Sequence, residues 1–322
     1  MIARSPLVLL GLLAACSDKT SGTDTGTPPA DDSAATDDSD ETADETPVWT
    51  SVRIETSSTL KGLYPMEASV VVVGEEGGAW FRQSDAWAPN SVETDGENLN
   101  DVWGAGSSGD SNLQLVAVGN VGVVATYSGG AWSVGDVGTA NFEAVDGPAS
   151  ANLLAVGWGG VFSNSSGTFE YTDVASGRYN DVWWNGTAAM AVGEDGDYAV
   201  YQNDNWADDA LPSRKTLYGV TGTAADDIWA VGEGGLVAHW DGSVWTEQEA
   251  FTDASLWDVW AASASDVYAV GNNGEAWRYD GASWSALPTG VDNNLYCVRG
   301  STAGEVWAAG NRGMVIRYDV EG

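Results

Sequence analysis

The sequence predicts an all-β fold made of seven copies of one small antiparallel sheet. Three observations predict it: a recurring Gly-x-x-Gly tetrapeptide, a tryptophan at a fixed distance beyond it, and an early segment that supplies what the last copy lacks. The tetrapeptides are led by Gly74, Gly119, Gly157, Gly193, Gly232, Gly271 and Gly310. Their steps are 45, 38, 36, 39, 39 and 39 residues, and a fixed period of roughly 20–50 residues marks a repeat architecture.

The sixth copy shows the content of one repeat. Leu256-Trp257-Asp258-Val259-Trp260 is an aromatic and β-branched run, and the small, polar Ala261 to Ser265 follows as a turn. Asp266 to Val270 is a second run, ended by the Gly271-Asn272-Asn273-Gly274 turn. Glu275 to Tyr279 is a third, Asp280-Gly281 turns the chain, and Ser283-Trp284-Ser285 opens a fourth. A two-residue tip between the glycines, such as Asn-Asn or Glu-Gly, supplies the positive φ of a tight hairpin. Each repeat therefore reads as four short antiparallel strands, and no segment after residue 48 carries a helical period.

Two aromatic marks hold the register. Eight residues after the leading glycine stand Tyr127, Tyr201, Trp240, Tyr279 and Tyr318; Arg82 and Ser165 break the pattern in the first and third copies. Thirteen residues after it stand Trp87, Trp132, Trp206, Trp245 and Trp284. In the seventh copy this tryptophan would fall just beyond Gly322, and Trp49, 25 residues before Gly74, sits where a fourth-strand tryptophan belongs. The segment from Val48 to about Ile54 is thus expected to pair as the outer strand of the last sheet. That closes the ring and removes an open edge. The predicted architecture is a seven-bladed β-propeller of four-stranded antiparallel blades over residues 48–322.

Most of the 17 tryptophans recur in register, which is what packing between blades requires. Trp80, Trp158 and Trp184 lie off the register. Trp158 is inside a Gly-x-x-Gly tip, which makes it the aromatic candidate for a contact surface.

Residues 1–15 read as a lipoprotein signal peptide, with Arg4, the apolar Leu7 to Leu13, and Leu13-Ala14-Ala15-Cys16 as cleavage site. The apolar segment is too short to span a bilayer. Its end resembles the bacterial lipobox, and that resemblance implies a lipidated Cys16 as the new N-terminus. Ser17 in place of aspartate implies passage to the outer membrane or cell surface. Residues 16–47 continue as a disordered acidic tether, with ten acids, one lysine and no aromatic residue; such composition buries too little apolar surface to fold.

The net charge of −35 disfavours nucleic acid as a partner, and membrane attachment is left to the lipid anchor. Removing residues 1–47 leaves 37 acids against 10 bases in the propeller. The turn between second and third strands shares one rim with the links between blades. That rim carries Glu75, Glu76, Glu194, Asp195 and Glu233, with Asn272, Asn273 and Arg312 at further tips. Together with Trp158 these are the candidate ligand-binding residues, on a face that would steer a basic partner.

No catalytic residue is assigned, and a non-enzyme is the expected outcome. The chain has one histidine, His239, and one cysteine besides Cys16, Cys297, read as a small core residue. A zinc site of several histidines and a Ser-His-Asp constellation both lack their parts. No cofactor or metal is assigned; calcium at Asp195 with Asp197, or Asp226 with Asp227, is left open without a complete calcium loop.

The run Trp229-Ala230-Val231-Gly232 through Trp240-Asp241-Gly242-Ser243-Val244-Trp245 resembles bacterial propeller repeats of the YVTN and BNR type. The resemblance covers residues 48–322 and implies architecture more than activity. Asp266-Val267-Tyr268-Ala269-Val270-Gly271 is similar to tectonins, propeller lectins that bind surface sugars. BNR repeats also occur in sialidases, which need an arginine trio and a tyrosine–glutamate nucleophile pair. Asp280-Gly281 lacks the full Asp-box around it, and the register gathers no arginine trio. The expected function is a lipid-anchored, non-catalytic scaffold of the envelope or cell surface that binds protein or glycan. The alternatives are a tectonin-like lectin and, third, a sialidase-like glycosidase.

Overall fold

The computed structural model describes residues 48–320 apart from 68, 108–110 and 173–176. The signal peptide, Cys16 and the tether lie outside the described residues. Seven four-stranded antiparallel sheets are present among the described residues, numbered here as blades 1 to 7. Their first strands are Leu60–Met66, Leu99–Ala105, Asn141–Ala149, Tyr179–Trp184, Leu217–Ala224, Leu256–Ser263 and Leu295–Gly300. Each first strand packs beside the first strand of the next blade, and the seventh packs beside the first. The first strands therefore line the axis of a closed ring.

The core is divided between the blades. Seven hydrophobic clusters each straddle one pair of neighbouring blades. Phe81 of blade 1 meets Leu99 and Leu115 of blade 2, for example, and Trp229 of blade 5 meets Leu256 and Val259 of blade 6. Second strands such as Ser69–Gly74 are buried along their whole length because blades cover both faces, which explains the unbroken Val70-Val71-Val72-Val73 run.

Blade 7 is completed as the sequence predicts. Trp49–Ser51 pairs antiparallel with Val315–Asp319, in the register Trp49↔Tyr318, Thr50↔Arg317 and Ser51↔Ile316. Beyond this strand, Val52 and Ile54 donate backbone hydrogen bonds to Val315 and Gly313 at 2.9 Å each.

One detail departs from expectation. In six blades the Gly-x-x-Gly tip is a three-residue loop rather than a two-residue one. The leading glycine pairs with the residue after the second glycine, as in Gly74 N–H to Gly78 C=O at 2.9 Å. The last two loop residues then take positive φ, as at Asn273 (58°) and Gly274 (72°), so the second glycine belongs to the turn. Blade 3 alone keeps the two-residue tip, with Gly157 opposite Gly160. The register tryptophans Trp87, Trp132, Trp206, Trp245 and Trp284 pack between blades as expected, and the added detail is that each is half-buried. They stand on outermost strands, where one face packs on the preceding blade, as Trp245 does on Tyr198, and one edge meets solvent.

Candidate functional site

The first strand of every blade carries a bulge at the same place. Pairing with the second strand skips Lys61, Asn100, Glu143, Asn180, Tyr218, Trp257 and Tyr296, one residue in each blade. A bulge inserts an extra residue and re-aims its side chain. All seven residues line one cavity of about 470 Å³ at the end of the axial channel. The Gly-x-x-Gly tips surround the same end, because Gly74 lies opposite Leu60 at the start of the first strand.

The mouth is two-sided. Tyr218, Trp257 and Tyr296, on three consecutive blades, form an aromatic arc. Tyr218 and Trp257 are 4.4 Å apart between ring centroids, and Trp257 and Tyr296 are 5.4 Å apart, edge to face. Lys61, Asn100, Glu143 and Asn180, on blades 1 to 4, form a polar arc. Lys61 Nζ donates to Asn100 Oδ1 at 2.9 Å. Glu143 is half-buried, and burial raises its pKa against the opposing charge of Lys61.

One residue deeper, the ring alternates large and small. Asp101, Asp181 and Asp258 stand on blades 2, 4 and 6, against Gly62, Ala144, Gly219 and Cys297 on blades 1, 3, 5 and 7. Each aspartate joins two blades. One oxygen accepts the N–H of its own successor, Val102, Val182 or Val259, at 2.7–2.8 Å. The other accepts the N–H of Val145, Val220 or Val298 on the following blade at 3.0, 2.7 and 2.7 Å. Asp146 does the same for Trp184 N–H at 2.7 Å. The small residues are required: a Cβ on Gly62 or Gly219 would lie 2.7 Å from the Cα of Asp101 or Asp258.

Seven blades cannot alternate completely, so Cys297 and Gly62 are both small neighbours. Arg299 of blade 7 reaches back from that seam to Asp258 at 2.6 Å. Burial alone would lower the pKa of Arg299, but Asp258, Asp181 and Asp101 outweigh it and hold the guanidinium charged. Burial raises the pKa of Asp101, raises Asp181 well above the carboxylate range, and pushes Asp146 up to about 6. Burial also raises Cys297 well above an ordinary thiol, so it is no ready nucleophile.

No protein-family model matches the chain, and no curated protein matches its sequence. Solved structures match its shape. YCF48 bound to D1 peptide is 15% identical and covers 86% of this chain and 96% of its own, with a TM-score of 0.70. Virginiamycin B lyase from Staphylococcus aureus is 10% identical and covers 86% and 100%, with a TM-score of 0.74. The WD40 β-propeller domain of Doa1 is 13% identical and covers 84% and 96%, with a TM-score of 0.66. This chain has the β-propeller fold of those proteins, and at these identities the likeness shows the fold alone.

Of the residues singled out from sequence, Glu75 lines the cavity, with its carboxylate accepting Thr59 N–H at 2.8 Å. Asn272 orients the arc by accepting the indole N–H of Trp257 at 2.7 Å. Glu76, Asp195, Glu233, Asn273 and Arg312 are exposed at the surrounding tips, and Glu194 faces Arg178 at 3.5 Å. Trp158 is 51% exposed at the tip of blade 3, with the Arg178 guanidinium 4.4 Å over its ring. The candidate residues thus share one face but do not converge on a single point. Of the calcium pairs, Asp197 faces Arg214 at 3.4 Å and Asp227 faces His239 at 2.8 Å. Among the described arginines, Arg299 alone lines the cavity.

Sequence reasoning missed the bulged ring and the aspartates below it. A signal was present: Leu99-Asn-Asp-Val102, Tyr179-Asn-Asp-Val182 and Leu256-Trp-Asp-Val259 alternate with Leu60-Lys-Gly-Leu63 and Leu217-Tyr-Gly-Val220.

Proposed function

We propose that this chain is a non-catalytic binding scaffold that captures a protein partner on the face around the channel mouth. The two-sided mouth carries the reading. Seven bulges in register present an aromatic arc beside a polar one, in a concave site of the kind that binds ligands. The fold agrees with it: YCF48, a propeller of similar shape, was solved with a bound peptide. The 37 acids against 10 bases of residues 48–322 favour a basic partner and a salt-sensitive encounter. Lipid on Cys16 would display the propeller in the envelope or at the cell surface, with the acidic tether as spacer. Multiple acyl chains anchor stably. Substituting Cys16→Ser should release the protein from membranes on fractionation, and a variant that stays membrane-bound overturns the anchor.

Glycan is the second reading, and the aromatic arc is the observation that favours it, because indole and phenol rings stack on sugar faces. A pull-down from envelope extract with wild type and Trp257→Ala, beside a glycan array run with and without EDTA, tests both. Protein capture lost in Trp257→Ala supports the scaffold. Array binding lost in the same variant supports the lectin, and loss with EDTA adds calcium to it. Capture and array binding that both ignore Trp257 overturn the mouth as the binding face.

A further inference from the structure

The amide and indole donors of the mouth are hydrogen-bonded inside the fold, which leaves the Tyr218 hydroxyl and the Glu143 carboxylate among the groups lining the cavity. Trp257 Nε1 donates to Asn272 Oδ1 at 2.7 Å. Asn180 Nδ2 donates to the Leu217 carbonyl at 2.7 Å, and Asn100 Nδ2 to the Phe142 carbonyl at 2.7 Å and Asn120 Oδ1 at 2.9 Å. Both cations are engaged as well, Lys61 with Asn100 at 2.9 Å and Arg299 with Asp258 at 2.6 Å. By contrast, the Glu143 carboxylate accepts no hydrogen bond from any described residue. It stands on blade 3, half-buried, three blades round the ring from Trp257 on blade 6. A carboxylate offers acceptors only; the charge of Lys61 offsets part of the cost of burying this one, but no hydrogen bond does.

A neutral sugar hydroxyl asks for donors as well as acceptors, and beyond the two tyrosine hydroxyls of the arc the amide and indole donors here are already engaged. An anionic ligand meets Glu143, Glu75 and the aspartates below. A donor-rich cation fits both sides. Its charge is met by the open carboxylate, and its stem or planar face by the electron-rich rings of Trp257 and Tyr218. We propose that the channel mouth takes a lysine or arginine side chain of the protein partner, with its charged head on Glu143 and its body against Trp257 and Tyr218. This inference rests on the mouth being the binding face and names the chemistry that face selects.

The test uses the full chain in detergent and three labelled pentapeptides, Gly-Gly-X-Gly-Gly with blocked ends, in which X is arginine, lysine or citrulline. Anisotropy is read on wild type, Glu143→Gln and Trp257→Ala. Glu143→Gln keeps the side-chain volume and breaks no hydrogen bond within the fold; thermal melts check that it and Trp257→Ala remain folded. Arginine or lysine peptide should bind about tenfold or more tighter than citrulline, as a charge-assisted hydrogen bond requires. Glu143→Gln should remove most of that preference, and Trp257→Ala should weaken binding about tenfold or more. Citrulline binding as tightly as arginine, or a preference unchanged in Glu143→Gln, overturns the inference. A glycan bound in a Trp257-dependent way with no preference for the basic peptides also overturns it, while leaving the mouth as the binding face. If neither peptide nor glycan binding responds to Trp257→Ala, both readings fall.

Discussion

Trp49 stands directly opposite Tyr318 in blade 7, with their rings 5.3 Å apart. The first strand of the propeller thereby locks onto its last. The join is held from the other side too, because Trp87 of blade 1 donates its indole N–H to the Val52 carbonyl at 2.6 Å. Trp49 is 8% exposed. Truncating so large a buried ring costs ~3 kcal/mol or more. Trp49→Ala should therefore lower the melting temperature by roughly 6–12 °C, taking ~2–4 °C per kcal/mol for a domain of this size. A variant melting within a degree of wild type would show that the closing strand contributes nothing to the ring.

The channel aspartates are structural staples before they are charges. Asp181→Ala leaves the N–H groups of Val182 and Val220 without their acceptor, which should cost ~2–4 kcal/mol for two buried donors. Gly62→Ala tests the small half of the alternation, because its Cβ would press on the Asp101 backbone; overpacking of this kind costs ~1–3 kcal/mol. Denaturant midpoints measure both. Wild-type midpoints in either variant would contradict the blade-to-blade stapling.

Acid should stabilise this protein before it harms it. Asp146, raised by burial to about 6, binds its proton more tightly in the folded state than in the unfolded chain, where aspartate titrates near ~3.9. Its contribution is therefore fully present below about pH 4 and is lost as pH rises to about 6, a change on the order of 2–3 kcal/mol. Asp101 and Asp181 are raised by burial as well and act with the same sign. The melting temperature should rise as pH falls from 7 to 5, and Asp146→Asn should flatten that rise. An unchanged slope in the variant would mean that Asp146 does not titrate as a buried group.

The ring itself could be read from sequence because its geometry restricts residue type. The tips need positive φ, which puts glycine at Gly77, Gly196 or Gly274, and closure needs a strand, which Trp49 marks. The mouth could not be read in the same way. A bulge adds one residue without altering composition, so Trp257 looks like part of the apolar run from Leu256 to Trp260. Asp101, Asp181 and Asp258 were lost among 47 acids. What singles them out is a partner on the next blade, roughly 40 residues away along the chain. The tip acids are legible because the turn places them at the rim, but nothing local tells which of them faces the cavity; of these, half-buried Glu75 does.

The central claim is that the partner is held at the mouth of the channel, on the face ringed by the Gly-x-x-Gly tips. Site-specific photo-crosslinking in the native cell tests it most directly, with the crosslinking residue placed at Tyr218 in the aromatic arc or at exposed Thr302 in the turn at the far end of the channel. The account predicts a discrete crosslinked partner from Tyr218 and none from Thr302. The same partner captured from Thr302 and not from Tyr218 would contradict it.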